Sequence, residues 1–340
     1  MEEYCVKQIQ PNHADHISCY RDEYLDEMFK NEPVVAQLKY DGERMLIHIS
    51  NGNVYCTSRR YSKKTNRFME NQDRLPYLKE YIANLDDNLK ELLGYTVIDC
   101  ECYAKNWSEA ASVLHSLPER AKELQDNGID IKYAVFDCLF YQGIDLRNEP
   151  YWKRLHYAIN VIELLNYPKM HLVKFVDDNN DVVNLCHAQI DNFVKSKEDW
   201  QARMQTAIYH NFEGVVLKSL YRSYYDKAAS LKCKKFETVD TVVIDKQQGT
   251  GKYANTVGAL IVGYYDPDKN DFVRVSKVNC GTDADRDWWK DNWETAKYSV
   301  LEVKCQEITG KSLRHPVYIR IRNDKSYSMC TKETIFKEEE

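Results

Sequence analysis

One short segment, residues 34–44, constrains the fold of this chain more than any other. An apolar, β-branched run, Val34–Leu38, leads directly to Lys39, and Asp41-Gly42 follows after a single tyrosine. A second apolar run, Met45–Ile49, begins soon afterwards. Apolar runs separated by Asp-Gly are typical of two strands joined by a tight turn, and glycine allows close backbone approach. The pattern predicts strand, turn, strand with the lysine at the bend, although a solvated lysine in an ordinary turn is the alternative.

Length and composition indicate one large or two ordinary globular domains. The chain has 340 residues, of which 43% are hydrophobic and 12% aromatic, enough to form real cores. It has no apolar run of transmembrane length and no signal-peptide pattern at its beginning. The 11 cysteines are irregularly spaced without a C-x-x-C pair, which predicts reduced thiols and no structural zinc. Reduced thiols are typical of a cytosol, so we expect the protein in a cytoplasm, with the nucleus as an alternative. We also expect a monomer.

Basic residues are concentrated in two segments, 58–67 and 232–235, although the net charge is −6. Binding to nucleic acid depends on local positive patches, so the acidic average does not argue against it. The first segment reads S-R-R-Y-S-K-K-T-N-R and is the stronger candidate for binding phosphate. A solvated basic loop is the alternative interpretation.

Local patterns predict the elements of the first part of the chain. Residues 1–30 read as a short helical or irregular lead-in, and Asn51-Gly52 is typical of a hairpin turn. Leucine and isoleucine at helical spacing predict one helix over 74–93. The same reasoning predicts strands at 96–103, 131–141, 212–218 and 230–236, and helices at 108–125 (interrupted near Pro118), 151–165 and 191–209.

The texture of the sequence changes near residues 237–240. Short strands separated by Gly, Asn and Asp are predicted from there on, at 241–246, 258–265, 272–278, 300–308 and 317–321. Several short strands at this spacing predict a small barrel. We therefore expect two domains, 1–237 and 238–340. Trp288, Trp289 and Trp293 are better explained by helix packing than by base stacking.

Further segments place charged or aromatic side chains on or beside strands. They are Ser58-Arg59, Asp99-Cys100-Glu101, Phe136-Asp137, Glu213-Gly214-Val215-Val216-Leu217-Lys218, Lys232-Cys233-Lys234 and, near the end, R-I-R-N-D-K at 320–325. Alternation along a strand places Gln37 on the same face as Lys39. Each segment alone also has an ordinary interpretation, because strand aromatics usually belong to the core and paired lysines often face solvent. Cys100 and Cys102 are expected to pack in the core.

Taken together and in this order, the segments resemble the covalent nucleotidyltransferases, which comprise polynucleotide ligases and RNA capping enzymes. K-Y-D-G-E-R matches the signature K-x-D-G-x-R, and its tyrosine is most similar to ATP-dependent DNA ligases. E-G-V-V-L-K and R-N-D-K are similar to the ligase elements E-G-x-x-x-K and R-x-D-K. Cys100 stands where the ligase element D-G-E has glycine. The resemblance implies an α+β fold, in which a nucleotidyltransferase (ATP-grasp-like) domain with antiparallel sheets and helices precedes a small OB-fold β-barrel.

The resemblance also implies a role for each candidate residue. Lys39 would be the nucleophile, with Lys232 and Lys234 as cations that neutralise phosphate and lower the pKa of the attacking amine. Glu213 would serve catalysis, and together with Glu101 it would bind metal. The implied ATP-binding set is Gln37, Leu38, Lys39, Arg44, Arg59, Glu101, Phe136, Lys232, Lys234, Arg322 and Lys325, with Phe136 stacked on adenine and Gln37 at its edge. The implied DNA-binding set is Arg44, Arg59, Arg60, Lys63 and Lys64.

The function implied by the resemblance is that of an ATP-dependent DNA ligase. It would use ATP and Mg²⁺ or Mn²⁺ to seal 3′-hydroxyl/5′-phosphate nicks in duplex DNA, through lysyl-AMP and DNA-adenylate intermediates. An RNA ligase or a capping guanylyltransferase would share the covalent lysine chemistry, but Tyr40 and Arg322–Lys325 favour DNA ligase. A non-catalytic OB-fold protein that binds nucleic acid is the alternative from another class, and the complete acidic and lysine set argues against it.

Overall fold

The computed structural model describes residues 9–184 and 193–336. The chain divides into two compact units, one ending at Lys234 and one beginning at Lys235. The boundary expected after residue 237 falls at the start of a strand that begins at Glu237. Each unit contains its own hydrophobic core. Within the described ranges, no helix is long and apolar enough to cross a membrane.

The first unit combines short helices with mainly antiparallel strands. Its strands are β1 (Asp15–His16), β2 (Val34–Leu38), β3 (Glu43–Ser50), β4 (Asn53–Ser62), β5 (Arg67–Glu70), β6 (Thr96–Tyr103), β7 (Lys132–Tyr141), β8 (Ile144–Asp145), β9 (Met170–Leu172), β10 (Phe175–Val176), β11 (Val182–Val183), β12 (Gly214–Ser219) and β13 (Ser230–Lys234). Its helices are α1 (Asp22–Asn31), α2 (Pro76–Ala83), α3 (Asp87–Leu93), α4 (Trp107–Leu114), α5 (Pro118–Asp126), α6 (Tyr151–Leu165) and α7 (Lys197–Tyr209).

These strands form two sheets within the described part of the unit. One has the order β1-β13-β12-β2-β10-β11, and the other has the order β5-β4-β3-β6-β7-β8 with β9 beside β7. Helix α6 contributes to the cores on both sheets, with Leu155 in one cluster and Val161 in the other. Because β2 and β3 belong to different sheets, the segment 39–42 is the point where the chain passes from one sheet to the other. The two predicted strands are confirmed, but the tight turn expected between them is a bend at Asp41 and Gly42 that links two sheets.

The elements 96–103 and 151–165 have the bounds expected from the sequence. The hairpin turn at Asn51-Gly52 is confirmed, but the strands that it joins, β3 and β4, are longer than expected. The single helix expected over 74–93 is wrong. The chain forms α2 and α3 instead, because Asp86 begins a new helix by accepting a hydrogen bond from the Leu89 N–H at 2.9 Å. The leucine spacing continues across this break, so periodicity alone does not reveal it.

The helix expected over 191–209 is shorter than predicted. Residues 191–192 lie outside the described ranges, and the helix begins at Lys197, where the Ser196 side chain accepts a hydrogen bond from the Asp199 N–H at 3.2 Å. A serine that caps the first turn in this way marks a helix start. The helix expected over 108–125 is interrupted as predicted, with α5 beginning at Pro118.

The second unit is built mainly from strands. They are β14 (Glu237–Gln248), β15 (Val257–Asp266), β16 (Asp271–Val278), β17 (Val300–Cys305), β18 (Glu307–Thr309), β19 (Ser312–Arg314) and β20 (Val317–Ile321), with helices α8 (Asp283–Asp291), α9 (Trp293–Ala296) and α10 (Lys332–Ile335). Among residues 235–336, hydrogen bonds give the open order β16-β15-β14-β17-β20 and a separate β18–β19 pair, so they do not close a barrel. Trp289 is fully buried in the core, as expected for helix packing, whereas Trp288 is 43% exposed.

Candidate active site around Lys39

Lys39 is held beside Glu213 by its own backbone. It follows β2 directly, its N–H donates to the carbonyl of Gly214 at 2.9 Å, and its carbonyl accepts from the N–H of Glu213 at 3.1 Å. The Lys39 amine consequently forms an ion pair with the Glu213 carboxylate. Lys234 approaches the same carboxylate, with its Nζ 3.5 Å from Oε1. The side chains of Lys39, Glu213 and Lys234 are only 21%, 10% and 18% exposed, so solvent screens their charges incompletely.

Two glycines permit these close approaches between strands. A Cβ atom on Gly214 would overlap the carbonyl oxygen of Cys233 on β13, and the φ of Gly214 is +142°. A Cβ atom on Gly42 would overlap the carbonyl oxygen of Cys102 on β6. Only glycine fits where backbones meet this closely. The close approach expected at Gly42 is therefore confirmed, and Gly214 has the same role at the start of β12.

Glu101 extends the acidic side of the cluster. It lies on β6 opposite Arg44 on β3, and it is partly buried. Burial is the main cause that raises the pKa of Glu101 to about 7, and the negative charge of Glu213 raises it further. The positive charges of Lys39 and Arg44 act in the opposite direction. The three groups therefore lie within electrostatic reach of Glu101. On the opposite face of β6, Cys100 and Cys102 are buried in the core, as predicted.

Arg44 is held by a network that sequence reasoning did not identify. Its guanidinium donates to both carboxylate oxygens of the fully buried Asp99, at 2.9 and 2.5 Å. It also donates to the carbonyl and side-chain oxygens of Asn12, at 2.5 and 2.6 Å, and to the Tyr224 hydroxyl at 2.9 Å. Its Cζ lies 5.2 Å from the centre of the Phe136 ring. Asp99 lies within the quoted D-C-E segment, whereas nothing in the local sequence singles out Asn12 or Tyr224.

A buried charge cluster lies behind Phe136. Asp137 is fully buried and accepts hydrogen bonds from Arg154 at 2.8 and 3.1 Å and from Lys218 at 3.4 Å. Burial lowers the pKa of Lys218 to about 8, although the charge of Asp137 opposes the shift. Phe136 itself is partly exposed, whereas its neighbours from Tyr133 to Phe140 are buried. A ring that is partly exposed within a buried strand is available to a ligand.

The other residues predicted to bind the nucleotide lie on neighbouring strands. Gln37 is buried on β2, where it donates to the Tyr151 hydroxyl, and Leu38 is buried in the core. Lys232 lies opposite Val216, two residues from Lys234 on β13. Within the described residues, Lys232 forms no ion pair. The structure thus brings the predicted residues of the first unit to adjoining strands of its two sheets.

The basic segment 58–67 forms a hairpin rather than a loop. Strand β4 continues through Ser62 and pairs with β5, with Tyr61 opposite Phe68. Four side chains predicted to bind DNA are exposed along this basic hairpin, namely Arg59, Arg60, Lys63 and Lys64. Arg60 also forms an ion pair with Glu43 at 3.4 Å. Arg59 and Arg60 lie in the irregular part of this strand pairing, between Thr57 and Tyr61. Lys63 and Lys64 lie in the turn of the hairpin.

Arg322 and Lys325 lie together in the second unit. Both form ion pairs with Asp240 on β14, and Arg322 lies 3.3 Å from its carboxylate. Arg322 also donates two hydrogen bonds to Asp324, at 2.8 and 2.7 Å. Asp240 was not singled out from the sequence. It gathers the two cations of the R-N-D-K segment at the end of β20.

Comparisons with known proteins are consistent with this geometry. The sequence model of the family described as ATP dependent DNA ligase domain matches residues 18–235, more than half of the chain. The chain therefore belongs to the ATP-dependent DNA ligase family. It is 26% identical over 351 residues to the DNA ligase of Sulfolobus acidocaldarius, an alignment that covers 87% of this chain and 54% of that protein. The chain spans about half the length of the curated relatives it matches.

Solved structures share the fold. One, named Pmar-Lig_PreS3, has a TM-score of 0.67 and 17% identity, and the match covers 92% of this chain and 67% of that one. Another, from an analysis of Lig E DNA ligases, has a TM-score of 0.61 and 15% identity, and the match covers 92% of this chain and 99% of that one. The predicted α+β fold of the ligase type is thereby confirmed.

Proposed function

We propose that this chain is an ATP-dependent DNA ligase that seals 3′-hydroxyl/5′-phosphate nicks in duplex DNA. The observation that carries the proposal is the contact of the Lys39 amine with the Glu213 carboxylate, which Lys234 also approaches. The chain that makes this contact belongs to the ATP-dependent DNA ligase family. Covalent catalysis by lysine requires an amine that is positioned and that can lose its proton. Glu213 is suited to orient the amine and to accept that proton.

In the first step, the Lys39 nitrogen forms a bond to the α-phosphorus of ATP. The bond from that phosphorus to the oxygen bridging the β-phosphate breaks, and pyrophosphate leaves. Lys232 and Lys234 lie on one face of β13 and offset the negative charge that develops on the phosphate. AMP then passes from Lys39 to the 5′-phosphate at the nick. Attack by the 3′-hydroxyl joins the strand and releases AMP.

The nucleoside of ATP would lie between the two sheets of the first unit. Phe136 offers a partly exposed ring for stacking on adenine, and Gln37 lies on the same face of β2 as Lys39. Glu101 would bind the ribose or the metal ion. Arg44, fixed by Asp99, would complete the pocket next to the Phe136 ring.

Glu101 and Glu213 are the carboxylates that would hold Mg²⁺ or Mn²⁺. They lie within electrostatic reach of each other, and Mg²⁺ commonly binds one or two carboxylates together with substrate phosphates. Residues 9–184 and 193–336 contain no group of three or more His, Cys, Asp or Glu side chains that could hold a metal ion alone. This donor set fits an ion shared with the nucleotide. When bound, the ion would supply positive charge at the reacting phosphates.

The remaining parts of the chain have distinct proposed roles. The basic hairpin would bind the DNA backbone, because exposed arginine and lysine pair with phosphate irrespective of sequence. Residues 1–237 would form the nucleotidyltransferase domain, and residues 238–340 the OB-fold domain that carries Arg322 and Lys325 for the leaving pyrophosphate. A DNA ligase of this kind would act in the cytoplasm, at the nucleoid or in the cytoplasm of a host cell.

Loss of the Lys39 amine tests the proposal directly. Lys39→Ala should form no covalent adduct with ATP labelled at the α-phosphate and should seal no nicked duplex, because the nucleophile is missing. Lys122→Ala, which removes an exposed lysine on α5, serves as the matched control. Labelling of Lys39→Ala at the wild-type rate would refute the assignment. Parallel reactions with GTP, NAD and single-stranded RNA would reveal a capping enzyme, a ligase with another cofactor or an RNA ligase.

A further inference from the structure

A chain of two hydrogen bonds connects Gln37 to the backbone of β7. The Gln37 amide nitrogen donates to the Tyr151 hydroxyl, which in turn donates to the carbonyl oxygen of Phe136 at 2.8 Å. Gln37 and Tyr151 are 2% and 1% exposed. Water therefore has little access to compete for these bonds, and burial makes a wrongly oriented polar group costly.

The chemistry of the hydroxyl determines the orientation of the amide. A tyrosine hydroxyl has one proton, and here that proton is donated to a carbonyl oxygen, which cannot donate in return. The Tyr151 oxygen can then only accept, so the end of the Gln37 amide that faces it must be the nitrogen. The Gln37 carbonyl oxygen consequently occupies the other end. Among the described residues, no donor bonds to that oxygen.

The free carbonyl oxygen belongs to the region proposed for the base. Gln37 shares a face of β2 with Lys39. Phe136, whose carbonyl accepts the hydrogen bond from Tyr151, is partly exposed. The Lys218 amine lies 4.3 Å from the centre of the Tyr151 ring and 4.9 Å from the centre of the Phe136 ring. These cation–π contacts hold both rings in place.

We propose that Tyr151 is a positioning residue that fixes the acceptor end of Gln37 toward the base and thereby selects a 6-aminopurine nucleotide. The inference rests on the proposed function. A glutamine whose amide can turn over presents either an acceptor or a donor. Adenine has an amino donor at its six-position, whereas guanine and hypoxanthine have an oxygen acceptor there. Because Tyr151 holds the Gln37 nitrogen away from the base, the Gln37 amide can only accept a hydrogen bond there, and the six-amino group of adenine can donate it.

The test compares Tyr151→Phe with the wild type in forming the lysine adduct from ATP and from ITP. ITP has the six-position oxygen of GTP but lacks the guanine 2-amino group, so it isolates the proposed contact. We expect the ratio of kcat/KM for ATP to that for ITP to fall by about tenfold in the variant, the scale of one directional contact to a base. Tyr81→Phe is the matched control, because it removes a hydroxyl that also donates to a backbone carbonyl, in this case of Leu165 at 2.7 Å.

Gln37→Glu provides a second, independent measurement. A carboxylate accepts from either oxygen, so turning it over changes nothing. In that background, adding Tyr151→Phe should leave the ATP/ITP ratio unchanged, whereas a general structural defect would lower it again. If Tyr151→Phe does not fold, Gln37→Glu alone still tests the orientation, because it should retain the preference for ATP.

The outcomes separate this inference from the proposed function. If the wild type forms no adduct with any nucleotide, the proposed function fails. If the wild type forms the adduct and Tyr151→Phe keeps the wild-type ATP/ITP ratio, the inference about Tyr151 is wrong. A preference of Gln37→Glu for ITP would likewise overturn it, since the acceptor end would then not face the base.

Discussion

Replacing Asp137 with asparagine should destabilise the first unit strongly. Asp137 is fully buried, and its two partners, Arg154 and Lys218, have side chains only 2% and 6% exposed. Asparagine preserves the shape of the side chain but removes the negative charge, leaving two buried cations without a counter-ion. Removing one member of a buried ion pair costs about 3–5 kcal/mol. For a unit of this size, such a loss lowers the melting temperature by roughly 10 °C.

The pH dependence of the effect follows from two opposite shifts. Burial acts to raise the pKa of Asp137, but the charges of Arg154 and Lys218 outweigh it and hold the pKa below its ordinary value. Its stabilising contribution is therefore present above the unfolded-state pKa and is lost as the pH falls through the lowered folded-state value. At pH 7 this contribution is complete.

Lys218 makes the destabilisation smaller in alkaline solution. The pKa of Lys218 is lowered from 10.5 to about 8 in the folded chain. Below pH 8 the charged amine therefore lowers the free energy of unfolding. This cost is relieved as the pH rises from 8 to 10.5. At pH 9 the wild-type Lys218 is mostly neutral, and only Arg154 then loses a charged partner in the variant. The difference in melting temperature between wild type and Asp137→Asn should therefore be larger at pH 7 than at pH 9.

Thermal unfolding followed by circular dichroism at both pH values measures the effect. Asp73→Asn is the control, because Asp73 forms an exposed ion pair with Lys79 at 2.9 Å, and such pairs contribute at most about 1 kcal/mol. A loss no greater than that of Asp73→Asn at pH 7 would refute the reasoning. An equal loss at pH 7 and pH 9 would refute the part assigned to Lys218.

The remaining predictions concern Arg59 in the basic hairpin, Lys325 in the second unit and, for comparison, Glu213 beside Lys39. Arg59→Ala should weaken binding to nicked duplex DNA and reduce the salt slope of that binding by about one unit, because one phosphate contact is lost; an unchanged slope and affinity would mean that Arg59 only faces solvent. Lys325→Ala should slow lysyl-AMP formation by about a hundredfold, which is the scale of a lost charge contact in a transition state. The same variant should seal a pre-adenylylated nick at close to the wild-type rate, because that step releases AMP and not pyrophosphate. Glu213→Ala should impair both reactions, and equal defects of Lys325→Ala in both assays would assign Lys325 to folding or to DNA binding.

Features encoded within a few consecutive residues could be predicted from the sequence. The strands on either side of Lys39, the hairpin at Asn51-Gly52 and the helix over 151–165 depend on apolar periodicity and on glycine, which act locally. The strand end that carries the candidate nucleophile was therefore identified correctly. The break between α2 and α3 was missed, because the leucine spacing continues through it and the signal at Asp86 is only a helix cap.

Contacts between residues that are distant in the sequence depend on the tertiary structure. Lys39 and Glu213 are 174 residues apart in the sequence, and they become neighbours because β2 and β12 pair in a register that places Val215 opposite Leu38. Asn12 and Tyr224, which both accept hydrogen bonds from Arg44, lie outside the strands and meet through loop packing. The Asn12 side chain donates to the Tyr224 carbonyl at 2.7 Å. A motif records which side chains are present, but a hydrogen bond or an ion pair also depends on the register between strands. That register is determined by the packing of the whole unit, so no local pattern contains it.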